Sequence, residues 1–246
     1  MALASRVAVI SDIHANWHAL AAVLAAVDEE RPDEVWCLGD LVGYGPRPNE
    51  CCDTVAARAD LCLAGNHDLV VLGSLSIDDF AGDAATAARW TQTVLSPDAR
   101  RYLESLPSSA TRDGVQLFHG SPRDPVWDYV LSEEAAWWTF DATTADLVLV
   151  GHSHVPLAIS LDDRELTGGV AGADVEAGLD SGRWILNPGS VGQPRQGDPR
   201  AAWLLVDLGE GRAVFRRAEY DVDRTQAEIK ERGLPDSLAE RLARGV

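Results

Sequence analysis

No apolar run in these 246 residues approaches the roughly 18 that a membrane-spanning helix requires. The stretch Met1 to Arg6 leads straight into Val7 to Ile10, an apolar segment too short for the core of an export signal. The expectation is a cytoplasmic protein with no membrane partner. Cysteine is scarce: Cys37, Cys51, Cys52 and Cys62 form no CxxC pair, and none stands beside a histidine in zinc-finger spacing. Reduced, mostly buried thiols are expected. Positive charge is short as well. Lys and Arg number 21 against 39 Asp and Glu, for a net charge of -18. Proteins that hold nucleic acid by its phosphates present a basic surface, so that partner is disfavoured. An anionic substrate must then be held by something local, such as metal ions.

What is present is enough for a large core without a disulfide staple. Arg6 to Ser11, Glu34 to Leu38, Leu61 to Ala64, Val115 to Phe118 and Leu147 to Val150 read as strands. Leu20, Val23, Leu24 and Val27 recur at helical spacing behind Asn16, a candidate cap, and Pro32 stops the pattern. Asn49 is expected to cap a helix through Ala59. Residues 70–107 read as a helical insertion, with Ser96 capping a helix that starts at Pro97. Asp113 and Gly114 mark a hairpin turn. A helix over 133–143 carries Trp137 and Trp138. Beyond Val155, strand patterns at 156–161, 183–186, 201–207 and 212–218 predict largely antiparallel sheet after an α/β first half. A polar helix, about 224–244, closes what is expected to be a single domain over 1–246.

Five of the six histidines follow directly after predicted strands, in short polar segments. These are SDIH (Asp12, His14), LGD (Asp40), AGNHD (Asn66, His67, Asp68), FHG (His119) and VGHSH (His152, His154). In open α/β sheets, ligands bind at the carboxyl ends of strands. Carboxylates and imidazoles suit borderline divalent ions such as Mn, Fe, Co, Ni and Zn. No cysteine falls in these segments, which disfavours a structural zinc site. Each segment alone has an ordinary reading as a turn or a satisfied polar residue; the joint pattern does not. His18, in the first turn of the first helix, is expected to be a surface or capping residue.

The order DxH, GD, GNHD, H, GHxH resembles the calcineurin-like metallophosphoesterase superfamily. The segments GDLVGYGPRPNEC (39–51) and NPGSVGQPR (187–195) are similar to its bacterial YfcE-type phosphodiesterases. The resemblance implies a four-layer α/β/β/α sandwich of two mixed sheets flanked by helices. It implies two divalent metal ions, manganese among the candidates. Asp12, His14, Asp40 and His154 would hold one ion. Asp40, Asn66, His119 and His152 would hold the other. His67 would be the general acid, oriented by Asp68. The implied reaction is hydrolysis of a small-molecule or nucleotide phosphodiester by a hydroxide held between the ions. A phosphomonoesterase and a non-catalytic scaffold of the same fold are the alternatives. The chain departs from the protein-phosphatase branch: Tyr44 stands where that branch has a phosphate-clamping arginine. Arg195 is a candidate substrate-facing cation in its stead. Trp127 and Tyr129, shortly after His119, are candidates to line the cleft. Trp137 and Trp138 face different ways on a helix, so core or subunit-interface packing is expected of them. The oligomeric state stays open, a homo-oligomer included.

Overall fold

The computed structural model describes residues 6–246; Met1 to Ser5, the first half of the Met1–Ile10 stretch weighed above as an export signal, lie outside the described residues. In the first sheet, β1 (Arg6–Ile10), β2 (Glu34–Cys37) and β3 (Leu61–Cys62) run parallel. Helices α1 (Trp17–Glu30) and α2 (Pro48–Arg58) are their crossovers. Three antiparallel strands extend the sheet from β1: β11 (Ala201–Asp207), β12 (Arg212–Ala218) and β9 (Glu176–Gly178). The second sheet is ordered β4 (Ser109–Arg112), β5 (Val115–Phe118), β6 (Leu147–Leu149), β10 (Arg183–Asn187), β7 (Leu157–Asp162), β8 (Glu165–Val170). Here β5, β6 and β10 are parallel and the outer pairs antiparallel.

The two sheets pack face to face, and the period of two along β1 shows how. Val7 and Val9 enter the core between the sheets with Trp36, Leu117, Leu149 and Leu186. Ala8 and Ile10 point the other way, into a core with Leu20 and Val23 of α1 and Cys51 and Cys52 of α2. On the far face, Val148, Val150 and Ile185 bury against Ala136 and Phe140 of α6 (Glu133–Asp141). The result is the four-layer α/β/β/α sandwich that the resemblance implies. Each large apolar side chain buried this way contributes about 1.5–3 kcal/mol. The four cysteines are free and buried.

Local signals held in part. Asn16 caps α1, accepting from Ala19 N at 3.2 Å. Ser96 caps α5 (Pro97–Glu104), accepting from Ala99 N at 3.1 Å. Asp113 and Gly114, with φ of 50° and 82°, turn the β4–β5 hairpin. Asn49 is not a cap. Pro48, whose ring presets a helical φ, starts α2. The Asn49 side chain instead bonds Val94 O and Ser96 N. The stretch 70–107 holds the end of α3 (Asn66–Leu72), a 3-10 turn at Ile77–Asp79, α4 (Gly82–Val94) and α5. The expected C-terminal helix is two helices, α7 (Val222–Glu231) and α8 (Asp236–Leu242). Gly233 takes a φ of 69° between them, and Pro235 cannot continue a helix. Trp138 is not a core residue: it is 43% exposed, with the Arg123 guanidinium 4.2 Å from its ring. No helix among the described residues is long and apolar enough to cross a membrane.

Candidate metal centre

Strands of both sheets end at one edge of the sandwich. β1, β2 and β3 lead into Asp12, Asp40 and Asn66; β5 and β6 lead into His119 and His152. The chain turns sharply there. Asp12, His14, Asp40, His152 and His154 take left-handed backbone, with φ of 54°, 49°, 55°, 62° and 60°. Asp and His visit that region more than most residues, at a cost the surroundings must offset. All seven expected ligands are buried.

Their ligand atoms form two clusters. Asp12, His14, Asp40 and His154 form one; Asp40, His119 and His152 form the other, with the atoms of each cluster within 4.8 Å of one another. Asn66 Oδ1 joins the second, 3.1 Å from His119 Nε2. Asp40 belongs to both. Its Oδ1 accepts from His67 N at 2.9 Å. Its Oδ2 has no hydrogen-bond partner and lies 3.6 Å from His14 Nε2 and 3.4 Å from His119 Nε2.

The hydrogen bonds around these rings test whether a cation fits. His14 Nδ1 and His154 Nδ1 donate to the carbonyls of Val42 (3.1 Å) and Gln193 (2.7 Å). That fixes each tautomer and leaves a lone pair on each Nε2. The two Nε2 atoms face each other at 3.0 Å. Lone pairs at that distance repel unless a proton or a cation lies between them. Burial pushes both rings well below the ordinary histidine pKa, which disfavours the proton. Burial also pushes Asp12 up to about 7, and its unpartnered Oδ1 lies 3.4 Å from His154 Nε2. A cation satisfies all of these atoms at once. In the second cluster, His119 Nδ1 donates to Leu38 O at 2.9 Å, and its Nε2 lies 3.2 Å from His152 Nδ1. Burial works against the His119 imidazolium, yet the Asp40 carboxylate lifts its pKa to about 9. That preference for positive charge beside Asp40 is one a cation would satisfy. The donor set fits two cations that share Asp40.

Asp68 departs from expectation. Its Oδ1 accepts from Leu41 N (2.9 Å) and Val42 N (3.1 Å), and its Oδ2 from Gly65 N (3.0 Å). No hydrogen bond among the described residues joins it to the His67 ring. Gly65 has no side chain to cap α3, so Asp68 closes the helix start and straps the Asp40–Val42 turn to it. It positions that turn and does not orient His67. The His67 ring itself lies between Tyr44 and Phe80, at centroid distances of 4.5 and 4.4 Å. Its unpartnered Nδ1 abuts Gly43, whose φ of 86° and missing Cβ make room for the ring. Burial pushes the His67 pKa down to about 4.

Aromatic rings rim the His152 side. Tyr129 stacks on His152 at 3.9 Å, Trp127 stands edge-on to it at 6.5 Å, and Phe80 meets Trp127 at 6.0 Å. Phe80 lies in a turn that carries no motif, and no sequence signal marks it. Arg195 acts electrostatically on Asp12, His14, His67, His152 and His154. The 187–195 segment supports the turns from behind. Ser190 Oγ donates to Asp12 O, and Asn187 Nδ2 to Gly151 O, each at 2.7 Å. His18 is neither a cap nor free on the surface: it meets Glu228 at 3.1 Å and ties α1 to α7.

The sequence profile of the calcineurin-like phosphoesterase superfamily domain matches residues 6–211. An uncharacterized protein of Methanocaldococcus jannaschii is 36% identical over 248 residues, covering 98% of each chain. Among solved structures, a metallophosphoesterase from Sphaerobacter thermophilus is similar with a TM-score of 0.88 and 44% identity, over 99% of this chain and 100% of that one. A hypothetical protein from Pyrococcus horikoshii OT3 shares the fold with a TM-score of 0.80 at 24% identity, over 98% of each chain. The five polar segments that meet at this buried edge lie within the profile match, and the chain belongs to the calcineurin-like phosphoesterase superfamily.

Proposed function

We propose that the chain hydrolyses a phosphodiester with the help of two divalent metal ions. The Asp40 carboxylate carries this reading: one unpartnered oxygen faces two buried clusters of ring nitrogens. Asp12, His14, Asp40 and His154 would hold one ion, and Asp40, Asn66, His119 and His152 the other. Mn, Fe, Co, Ni and Zn suit such ligands. When bound, such ions supply Lewis-acid activation of water and neutralise charge on the phosphoryl oxygens.

The remaining work falls to this chain's own residues. The strained turns hold the ligands in place before substrate arrives, which removes reorganisation from the reaction. His67 is neutral at neutral pH as it stands. An anionic ester docking beside it raises its pKa and lets the ring carry a proton to the leaving oxygen. Tyr44 packs on both His14 and His67, and burial keeps its hydroxyl protonated. The Tyr44 side chain therefore presents no negative charge to an anionic ester.

The test is cleavage of bis-p-nitrophenyl phosphate and p-nitrophenyl phosphate by metal-stripped protein, with Mn²⁺, Ni²⁺, Zn²⁺ or Mg²⁺ added back. Metal-dependent cleavage that favours the diester and disappears in Asp40→Asn is expected. Faster cleavage of the monoester would make the chain a phosphomonoesterase. No cleavage of either ester, with two ions bound per chain, would leave a metal-binding scaffold.

A further inference from the structure

The hydrolase reading leaves a pair of arginines beside the pocket without a role. Arg195 belongs to the loop that supports His154. Arg241 arrives from the far end of the chain, on α8. Both donate to one atom: Arg195 Nη2 and Arg241 Nη1 reach Gln193 Oε1 at 2.9 and 3.2 Å. Gln193 is buried, and its backbone carbonyl holds His154 Nδ1, so the pair is anchored directly behind the first ligand cluster. A chain of contacts carries α8 to this place. Asn16 bonds Gly192 O (2.9 Å) and the Thr225 hydroxyl of α7 (3.2 Å). Gln226 of α7 in turn donates to Ala239 O of α8 at 2.7 Å.

The arrangement is unfavourable by itself. Two guanidiniums share one neutral acceptor, and like charges that close repel. Arg195 Nε is buried with no hydrogen-bond partner. Carboxylates are abundant in this chain, and Arg47, Arg200 and Arg216 all find one. Among the described residues, no side-chain carboxylate pairs with Arg195 or Arg241; Arg241 Nε donates to Val246 O at 2.7 Å. The charge of Arg195 acts on His14 and His154 of the first cluster and on Tyr129 at the rim. An anion bridging the two forks would relieve the repulsion and occupy the idle donors. Guanidinium forks match phosphate oxygens in pairs, and Gln193 already holds both forks in place.

We propose that Arg195 and Arg241 form a subsite for a second phosphate, so that the substrate is an organic di- or polyphosphate, one phosphorus reacting over the Asp40 clusters. The placing of the reacting phosphorus rests on the hydrolase reading above. The subsite itself is tested by binding, without turnover.

Calorimetry on the full-length, metal-loaded protein, with free metal in excess, would compare methylenediphosphonate, methylphosphonate and phosphonoacetate. The diphosphonate should bind about tenfold or more tightly than methylphosphonate, as one charge-assisted contact provides. Arg241→Gln should remove most of that preference, and Arg241→Lys should keep part of it. Equal binding of diphosphonate and methylphosphonate by the wild type would overturn the proposal and reduce Arg241 to a tie between α8 and the loop. Phosphonoacetate binding as tightly as the diphosphonate would overturn the assignment to phosphate. A full preference retained in a folded Arg241→Gln would remove Arg241 from the subsite. Should that variant not fold, the wild-type comparison and Arg241→Lys still decide. Because no bond is cleaved, failure here is distinguishable from failure of the hydrolase reading, which shows only as absent ester cleavage.

Discussion

Gly65→Ala should dismantle the metal centre by steric pressure alone. A Cβ at Gly65 would lie 2.6 Å from Asp40 N and 2.7 Å from Asp40 Cγ, and would collide with Asp40 Oδ1. Ordinary contact begins at 3.4 Å. Asp40 must therefore retreat by at least about 0.8 Å, in a site packed too tightly to absorb it. The backbone at Gly65 has a φ of -95°, which alanine accepts, so conformational strain plays no part. Because Asp40 Oδ2 serves both clusters, both sites lose it together. Overpacking of this kind costs about 1–3 kcal/mol of stability. A misplacement approaching 1 Å costs on the order of 100-fold in rate. The assay is metal content per chain after dialysis, with kcat/KM on the diester and the melting temperature alongside. Gly73→Ala, at the other end of α3, is the reference. Its φ is 82° and nothing lies within 4 Å of an added Cβ, so it brings backbone strain without a clash. Gly73→Ala should melt lower and keep its metal; Gly65→Ala should lose metal and activity. Two bound ions and undiminished kcat/KM in Gly65→Ala would refute the claim that the placement of Asp40 holds the centre.

Three further outcomes are expected. His67→Ala should lower kcat by about 10²–10⁴-fold with metal content intact, read by kinetics and elemental analysis; loss of metal as well would contradict its role as proton donor. Tyr129→Ala should raise KM for aryl or nucleoside esters severalfold more than for methyl esters, since the ring stands on the pocket rim; equal effects on both would reduce it to a support for His152. Glu228 receives two hydrogen bonds from Arg47, at 2.7 and 2.8 Å, and these hold its carboxyl at about 2 against an ordinary 4.5. A depressed acid stabilises the fold above its unfolded pKa and loses that as pH falls through its folded one. Glu228→Gln should thus cost about 1–2 kcal/mol in denaturant melts at neutral pH, with the gap to wild type closing between pH 4.5 and about 2. A gap constant over that window would assign the effect to packing.

Much of the sandwich was legible in the chain itself. β1, β2 and β6 are short, mainly apolar runs buried along nearly all their length, and β5 alternates buried with half-buried positions; such patterns declare themselves. The caps at Asn16 and Ser96 and the turn at Asp113 and Gly114 depend on residues a few positions apart. β8 and β9 were illegible for the opposite reason. β8 is exposed along most of its length and contains two glycines, and β9 is three residues long, so neither carries a periodic apolar signal. The polar character of 224–244 masked the break at Gly233, which is a matter of backbone conformation.

The residue types at the strand ends, and their order, were also set by the chain alone: carboxylates and imidazoles there imply metal chemistry wherever the strands meet. Which of them meet was a tertiary matter. The fold brought three strand ends from one sheet and two from the other to a single edge, and divided their ligands into two clusters around Asp40. It gave Asp68 to the backbone of Gly65, Leu41 and Val42 instead of to His67, because three unpaired buried N–H groups outweigh one ring. It also carried Arg241 to Gln193, 48 positions away. No spacing rule reaches that far: a motif records neighbours along the chain, while charge and hydrogen bonding act across whatever distance packing closes.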